Sequence, residues 1–338
     1  MKITISIFIT GMLLLTACKS NQENNSETSA EENTRMKVLI DSDANNELDD
    51  QHAIAYALFN GDVFNVVGIT VNNTYNGDGI EGQYAEALRV AKLCDAYPKV
   101  PVIKGAEGNY NEIIGNIGQE NYDGAEAVDF IISEANKHSA ENPLFLLPVG
   151  KLTNIALALA KAPEIKEKVK VIWLGGHYPK AGEYNLDNDT TSVNPVIESG
   201  VHFEMVTVRY GDPSGTWGVI VTPEEIFEKM PGAGPTVEPV TGRHGGEFTN
   251  FGDYSVNLFE EAEMHGDPPG RSLFDMAAIA VVKNPAWGER KEVPAPTLVG
   301  NGWQDNPDNE NTIYIWENFD RDAIMQDFFE TMQDYQLQ

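Results

Sequence analysis

KVLIDSDANNELDD, residues 37–50, joins a short apolar run to a cluster of acidic residues. Val38, Leu39 and Ile40 are apolar in succession, which is typical of a strand that is covered on both faces. A helix-like stretch follows at residues 48–59. Because a buried strand that leads into a helix is the first half of a β-α-β unit, this segment predicts an α/β domain.

The same alternation continues along the chain. We predict further strands at 64–71, 100–103, 144–149 and 169–174, and further helices at 81–95, 123–138 and 152–160. Strands that are apolar on both faces, with helices between them, favour a mostly parallel central sheet flanked by helices, a Rossmann-like arrangement. The composition of 231–239 and 305–311 predicts loops, and no linker interrupts residues 36–338, so we expect one domain there.

The charge balance excludes two classes of protein. The 338 residues include 52 acidic and 23 basic side chains, a formal net charge of −29. Lys2 contributes +1 and residues 19–35 contribute −2, so residues 36–338 carry −28. A protein that binds nucleic-acid phosphates needs the opposite sign. The one long apolar run is N-terminal, which argues against a protein with several membrane spans.

The N-terminus reads as a targeting sequence. Residues 1–17 are predicted to be a lipoprotein signal peptide, because the LTAC of residues 15–18 resembles a bacterial lipobox and Cys18 would become lipidated. An ordinary secretory signal with a chance cysteine is the alternative. Residues 18–35 lack core-forming side chains and are predicted to be a flexible tether. We therefore expect a lipid-anchored protein of the cell envelope, outside the cytoplasm, that touches a membrane through its anchor only.

The only other cysteine is Cys94. With Cys18 lipidated, Cys94 has no partner for an intrachain disulfide. It lies in the helical pattern of residues 81–95, which predicts a buried, unreactive thiol.

Five carboxylates lie within residues 41–50: Asp41, Asp43, Glu47, Asp49 and Asp50. One or two could simply cap the helix that follows. Five crowded carboxylates repel one another unless a cation compensates them. The candidate ligand atoms are all oxygens, which favours a hard ion such as Ca²⁺ or Mg²⁺, although the spacing is not that of an EF-hand.

This segment resembles the Asp-x-Asp-x-Gly-x-Asp-Asp signature of the inosine–uridine-preferring nucleoside hydrolases, with a two-residue expansion and without the glycine. Four later blocks resemble that family in order and spacing: VGIT with NN at 67–73, PVGKLTNIA at 148–156, LGG with EYN at 174–185, and SLFD at 272–275. The resemblance covers nearly all of residues 36–338. It implies the nucleoside hydrolase fold and metal-dependent hydrolysis of the N-glycosidic bond of ribonucleosides to base and ribose.

The resemblance also implies residue roles. A Ca²⁺ ion would be held by the side chains of Asp43, Asp50 and Asp275 and by the backbone carbonyl of Val149. Asp43 would also take a proton from the attacking water, ahead of an oxocarbenium-like transition state. The ribose hydroxyls would be bound by four residues: Asp49, Glu183, Asn73 and Asn185. Alignment does not separate Asn73 from Asn72. Asp41 would orient the loop, and family members are often dimers or tetramers, so we expect a homo-oligomer.

The chain departs from the family where many members carry a histidine before the last metal-binding Asp. That position is Phe274, so the proton for the leaving base must come from another group or from water, or the substrate must have a leaving group that needs less help. His265, Asp267 and His244 lie nearby in sequence, and histidine is a common general acid. Trp217 or Tyr254 could stack on a base. The missing histidine leaves two alternatives open: a lipoprotein that binds nucleosides or ribosides without hydrolysis, and a hydrolase of another riboside. Base specificity cannot be carried over.

Overall fold

An eight-stranded sheet organises residues 35–338, the part of the chain that the computed structural model describes. The predictions for the signal peptide, Cys18 and residues 19–34 lie outside the described residues. The strands are β1 (Met36–Ser42), β2 (Phe64–Val71), β3 (Val102–Lys104), β4 (Leu144–Pro148), β5 (Val169–Leu174), β6 (His202–Val206), β7 (Ile220–Val221), β8 (Val240–Thr241), β9 (Glu247–Phe248), β10 (Arg271–Ser272), β11 (Glu289–Pro294), β12 (Thr297–Val299), β13 (Gly302–Gln304) and β14 (Thr312–Glu317).

The helices alternate with the strands of the large sheet. They are α1 (Asp49–Phe59), α2 (Gly79–Leu93), α3 (Tyr110–Ile113), α4 (Ala125–Ala135), α5 (Thr153–Lys161), α6 (Tyr184–Asn188), α7 (Thr190–Glu198), α8 (Pro223–Lys229), α9 (Phe251–Glu261), α10 (Phe274–Lys283) and α11 (Arg321–Gln333). Short 3₁₀ turns occur at Ile114–Asn116, Pro163–Glu167, Thr216–Gly218 and Pro285–Trp287.

The order of strands in the large sheet is β11-β14-β6-β5-β4-β1-β2-β3. Its neighbouring strands run parallel except β11, which pairs antiparallel with β14. From β1 the chain builds outward through β2 and β3, and then returns to β4 on the other side of β1. The direction in which strands are added to the sheet therefore reverses between β1 and β4. In open parallel sheets the crevice at such a switch point is where ligands bind.

Helices cover the sheet on both faces, which gives two hydrophobic cores. One core contains side chains of α1, α9, α10 and α11, and the other contains side chains of α4, α5 and α7. All eleven residues of α1 are buried, and α1 packs against α10. A helix buried on every side cannot shift without disturbing the core, so its first residues have a fixed position.

The predicted fold class is confirmed: the sheet is mostly parallel and is flanked by helices. The bounds predicted for β2 and β5 agree with the structure, and those of the other predicted elements differ by three residues or fewer at each end. Residues 231–239 and 305–311 contain no helix or strand, as predicted. Cys94 is buried, and burial raises the pKa of its thiol well above the usual value. Among residues 35–338, no helix has the length and apolarity that a membrane crossing requires.

Candidate active site

A cavity opens at the carboxyl ends of β1, β4 and β5, next to the switch point of the sheet. Its walls combine residues from the β1–α1 loop, the α6 segment, the segment after β6 and the start of α10. The lining residues are Asp43, Asn46, Glu47, Asp49, Asp50, Val149, Leu174, Glu183, Tyr184, Asn185, Val208, Tyr210, Trp217, His265, Phe274 and Asp275.

Three carboxylates meet at the bottom of this cavity. Asp49, Asp50 and Asp275 each offer an oxygen atom, and these oxygens lie within 4.8 Å of one another. Asp49 and Asp50 are the first residues of α1, and Asp275 lies in the first turn of α10. Neither helix has a side-chain cap. Because the positive ends of two helix dipoles point to one place, carboxylates accumulate there at a lower cost than elsewhere in the core.

Asp43 lines the same cavity from the end of β1. Its Oδ2 accepts a hydrogen bond from Thr74 Oγ1 at 2.6 Å, and its side chain is buried. Gly150 leaves the space for Asp43: a Cβ at Gly150 would lie 2.9 Å from Asp43 Oδ1 and 2.7 Å from Asn72 Oδ1. Asp43 is therefore oriented by Thr74 and by the glycine beside it.

Asp41 holds the strand ends together. Its carboxylate accepts hydrogen bonds from Thr70 Oγ1 at 2.6 Å, from Asn154 Nδ2 at 2.8 Å and from Asn72 Nδ2 at 3.1 Å. These partners belong to β2, α5 and the loop after β2. Asp41 is fully buried and does not line the cavity, so it positions the loops around the site.

The buried side chain of His52 holds the end of the segment between Asp43 and Asp49 in place. His52 Nδ1 contacts the carbonyl oxygen of Leu48 at 2.5 Å, and its Nε2 contacts Ser255 Oγ at 2.7 Å. Burial lowers the pKa of His52 to about 4, so the imidazole is neutral. With Nδ1–H donating to Leu48, the neutral ring holds the last residue before α1.

The carboxylates of the cavity have strongly perturbed pKa values. Burial, reinforced by neighbouring carboxylates, raises the pKa of Asp43 and of Asp49 to about 7. Burial and the charges of their acidic neighbours raise the pKa values of Asp50 and Asp275 well above the usual range. Among the described residues, no lysine or arginine lines the cavity. The cluster therefore needs protons or a cation to compensate its charge.

The donor set fits a hard divalent cation. It consists of carboxylate oxygens and the carbonyl oxygen of Val149, and among the described residues the group of candidate side-chain ligands contains no thiolate and no imidazole. Such oxygens are the ligands that Ca²⁺ and Mg²⁺ prefer. The group of Asp49, Asp50 and Asp275 could hold a metal ion. Two of its members belong to the predicted ligand set, and Asp49 had been predicted to bind ribose instead.

Glu183 and Asn185 form the wall next to β5. The Glu183 carboxylate accepts hydrogen bonds from the backbone N–H groups of Gly176 at 2.8 Å and of Asn185 and Leu186 at 3.0 Å each. Glu183 has φ 143°, a conformation that only glycine adopts readily and that costs about 1–3 kcal/mol in other residues. Its own carboxylate bonds hold this backbone in place. Burial raises its pKa to about 7.

Asn185 ties this wall to the bottom of the cavity. Its Nδ2 donates to the carbonyl oxygens of Val149 at 3.0 Å and Leu174 at 3.1 Å. The Asn185 amide nitrogen is thus used by the protein, and Oδ1 is its remaining acceptor. A carbonyl oxygen has two lone pairs, so Val149 can accept this bond and still bind another group.

Asn73 is not among the residues that line the cavity. Its Nδ2 donates to Glu107 Oε1 at 3.0 Å. Asn72 is buried between Asp41 and the backbone N–H of Lys151. The structure therefore does not place the predicted ribose ligand Asn73 among the residues that line the cavity; its neighbour Thr74 contacts one of them, Asp43.

The opposite side of the cavity is aromatic. Tyr210, Trp217 and Phe274 are in mutual contact, with ring centroids 5.7 to 6.1 Å apart, and we call these three residues the aromatic wall. His265 stacks on Trp217, with centroids 6.1 Å apart and an interplanar angle of 26°. Tyr254, considered from the sequence as a base-stacking residue, is buried in the core, where its hydroxyl bonds to Glu86. His244 lines a neighbouring cavity.

Sequence reasoning missed several lining residues. Tyr210 follows β6, a strand that was not predicted, although residues 201–208 are rich in apolar and β-branched side chains that could have indicated it. Asn46 and Glu47 belong to the expansion between the aspartates and lie at the cavity. Both residues lie where the sequence departs from the family signature, and this departure could have indicated that they line the cavity.

Comparisons with known proteins agree with this geometry. The model of the inosine-uridine preferring nucleoside hydrolase family matches residues 38–326. The chain is 26% identical over 218 residues to a probable uridine nucleosidase 1 of Oryza sativa subsp. japonica, covering 57% of this chain and 63% of the relative. It is 28% identical over 192 residues to a non-specific ribonucleoside hydrolase of Klebsiella pneumoniae, covering 51% of this chain and 60% of the relative. The chain thus spans about 60% of the length of these two relatives.

Solved structures share the fold. A plant nucleoside hydrolase superposes with a TM-score of 0.68 at 19% identity, covering 88% of this chain and 99% of that one. A purine-preferring ribonucleoside hydrolase from Gardnerella vaginalis superposes with a TM-score of 0.65 at 23% identity, covering 88% and 98%. These likenesses show the fold, and the family match extends over most of the sequence. The chain therefore belongs to the inosine–uridine-preferring nucleoside hydrolase family.

Proposed function

We propose that this chain hydrolyses the N-glycosidic bond of ribonucleosides and releases a base and ribose. The observation that carries the proposal is the convergence of Asp49, Asp50 and Asp275 within 4.8 Å, in the same cavity as Asp43 and at the switch point of the sheet. The family membership of the chain and the names of its relatives support the same reaction.

We propose Ca²⁺ as the cation. Asp50 and Asp275 would bind it from the two helix starts, with Asp43 and the carbonyl oxygen of Val149 completing the protein ligands. Asp49 lies within the same 4.8 Å group and is close enough to bind the cation or a sugar hydroxyl. When bound, the divalent cation lowers the pKa of a water molecule and holds it in position for attack.

Asp43 is the proposed base. Asp43 Oδ2 accepts a hydrogen bond from Thr74, so Oδ1 is the oxygen that would both contact the cation and take a proton from the attacking water. Burial and neighbouring carboxylates raise the pKa of Asp43 to about 7 in the absence of a cation, and a nearby positive charge brings it down. A base with a pKa near the working pH accepts protons efficiently, provided that it is ionised when substrate binds.

The remaining carboxylates act on the sugar. Glu183, Asp49 and the Oδ1 of Asn185 offer acceptors for ribose hydroxyls. Cleavage of an N-glycosidic bond builds positive charge on the ribose ring, as in other glycoside hydrolyses. Fixed negative groups around the ring are favourable where that charge appears. The same acidic surroundings repel phosphate, so nucleosides fit the cavity better than nucleotides.

The alternative is a protein that binds a nucleoside or another riboside without hydrolysing nucleosides. Phe274, which replaces the histidine of many family members, favours it. To distinguish the two, the purified chain with Ca²⁺ is incubated with a panel of nucleosides, and release of reducing sugar is measured. We expect ribose release, reduced roughly 100-fold or more by Asp43→Asn. Asp308→Asn, at an exposed site, is the matched control. Ca²⁺ binding without release of ribose from any nucleoside would support the alternative.

For localisation, we propose that Cys18 is lipidated after removal of residues 1–17 and that the enzyme acts outside the cytoplasm. The LTAC sequence of residues 15–18 supports this. Mass spectrometry of the N-terminal peptide from membrane fractions tests the proposal, with Cys18→Ser as the comparison. An unmodified Cys18 in the mature protein would contradict it. We also propose a homo-oligomer, which light scattering of the purified chain tests.

A further inference from the structure

His265 is an exposed side chain held in one place by several contacts. Its backbone N–H and C=O both pair with Gly270, at 2.8 Å each. Its ring stacks on Trp217. Its Nε2 lies 2.8 Å from Nη1 of Arg271. An exposed histidine with no role in packing would not need this much restraint.

Arg271 determines the tautomer of His265. Since a guanidinium only donates hydrogen bonds, Nε2 must present its lone pair, and the proton of the neutral ring lies on Nδ1. Arg271 is itself buried and fixed by the Glu263 carbonyl oxygen at 3.1 Å and by the Glu47 carboxylate. Among residues 35–338, none accepts a hydrogen bond from Nδ1 of His265. The ring therefore lines the cavity with a donor that the protein does not use.

The aromatic wall connects this donor to the carboxylates. Phe274 is adjacent in sequence to Asp275 at the bottom of the cavity, Trp217 contacts Phe274, and His265 stacks on Trp217. If the sugar lies on the carboxylates, as the proposed function requires, a planar aglycone must extend along this wall. Its outer edge then lies toward His265. Phe274 can pack against such a ring but cannot donate a hydrogen bond to it.

We propose that His265 is the residue that assists the leaving group, by donating a hydrogen bond from Nδ1 to a ring nitrogen or carbonyl oxygen of the departing base. This inference rests on the proposed function. Arg271 is a positioning residue, because it acts through His265.

The step balances without an additional reactant. As the bond between the anomeric carbon and the base nitrogen breaks, its electron pair moves into the base and spreads over its nitrogen and oxygen atoms. The Nδ1–H bond stabilises that charge, and the base then takes a proton from solvent. The attacking water supplies hydroxide to the sugar and gives its proton to Asp43, which returns it to solvent. His265 ends the cycle in the tautomer in which it began.

The test compares leaving groups. Inosine and uridine release poor leaving groups that need stabilisation, whereas p-nitrophenyl β-D-ribofuranoside releases a phenolate that needs little. We expect His265→Ala to lower kcat for the two nucleosides roughly 100-fold, the usual effect of removing one transition-state donor. The loss with the p-nitrophenyl riboside should be at least about tenfold smaller. His265→Asn, whose amide N–H can replace the donor, should recover part of the nucleoside activity. His138→Ala, at a histidine whose ring contacts the carbonyl oxygen of Asn142 and which does not line the cavity, is the matched control and should leave both activities unchanged.

Three other results of this experiment would overturn the inference, and a fourth would overturn the proposed function. Equal losses on both kinds of substrate in His265→Ala would mean a structural role and would overturn the inference, as would unchanged activity with nucleosides. Turnover of the p-nitrophenyl riboside but of no nucleoside by the unaltered chain would overturn it as well. If the unaltered chain cleaved neither kind of substrate, the proposed function itself would fail. That failure is distinguishable from failure of the inference, because it is seen in the unaltered chain without any variant.

Discussion

The two sides of the cavity are built differently. The carboxylates at its bottom lie at the end of β1 and at the starts of α1 and α10, where they are buried and fixed by the core. On the opposite side, Tyr210, Trp217 and His265 come from the segments after β6 and before α10, whereas Phe274 is the first residue of α10. Tyr210 is 48% exposed. The residues at the bottom are therefore fixed by the hydrophobic core, and most residues of the opposite side lie on connecting segments.

This difference separates metal binding and attack by water, at the bottom of the cavity, from contacts with the base, on the opposite side. Four buried carboxylates without a basic partner oppose folding unless a cation or protons neutralise them, so they are retained for a function. Tyr210 is exposed and Trp217 is partly exposed, and both lie on connecting segments, where side chains can vary with the substrate. We expect changes at the bottom to affect turnover and metal binding, and changes on the aromatic wall to affect the choice of base.

The largest effect is expected from Asp50→Asn or Asp275→Asn. Removing either carboxylate from the cluster should lower turnover by about 1000-fold, because both the cation and its water lose their position. Without Ca²⁺ and at alkaline pH, where the carboxylates of the cluster ionise, the same variants should be more stable than the unaltered chain, since the cluster then carries one repelling charge fewer. Thermal unfolding in chelator and assays with Ca²⁺ test both. A destabilised but active variant would contradict the role of the cluster.

Gly150→Ala should have the next largest effect. Its new Cβ would lie 2.7 to 2.9 Å from Asn72 and Asp43, so the proposed base must move. A displacement of about 1 Å in a reacting group costs roughly 100-fold in rate. Gly115→Ala is the matched control, because its Cβ meets nothing within 4 Å. If kcat in Gly150→Ala stayed within threefold of that of the control, the position of Asp43 would not matter.

Trp217→Ala tests the aromatic wall with a smaller expected change. Stacking of a base on an aromatic ring contributes about 1–3 kcal/mol, so we expect KM for nucleosides to rise about tenfold or more with a smaller change in kcat. Tyr97→Ala, an exposed aromatic residue on a segment that does not line the cavity, is the control. A loss confined to kcat would mean that Trp217 does not bind the base.

The smallest expected change is in thermal stability as a function of pH. Burial raises the pKa values of Asp43, Asp49 and Glu183 to about 7, so the folded, cation-free chain binds more protons than the unfolded chain between about pH 4 and pH 7. These groups therefore remove stability as the pH rises through that range. Ca²⁺ binds the ionised carboxylates, so it should raise Tm more at pH 8 than at pH 5, by about 5 °C at saturating concentration. An equal increase at both values would contradict the assignment.

Sequence predicted the sheet well and the site in part. β2 and β5 are rich in β-branched and other apolar side chains and are followed by Asn72 and by Gly175-Gly176, so their positions could be read directly. The meeting of Asp275 with Asp49 and Asp50 depends on the packing of α10 against α1, more than 220 positions away along the chain, and was predicted only through the family resemblance. Tyr210 was missed because β6 was not recognised. The strained backbone of Glu183 is a tertiary effect that no local pattern indicates.

The central claim is that the acidic cluster is a cation site, and calorimetric titration of the chelator-treated chain with Ca²⁺ tests it most directly. We expect one Ca²⁺ bound per chain, with binding lost in Asp50→Asn and retained in the surface variant Asp308→Asn. Binding of no Ca²⁺ by the unaltered chain, or the same binding by Asp50→Asn, would contradict the account.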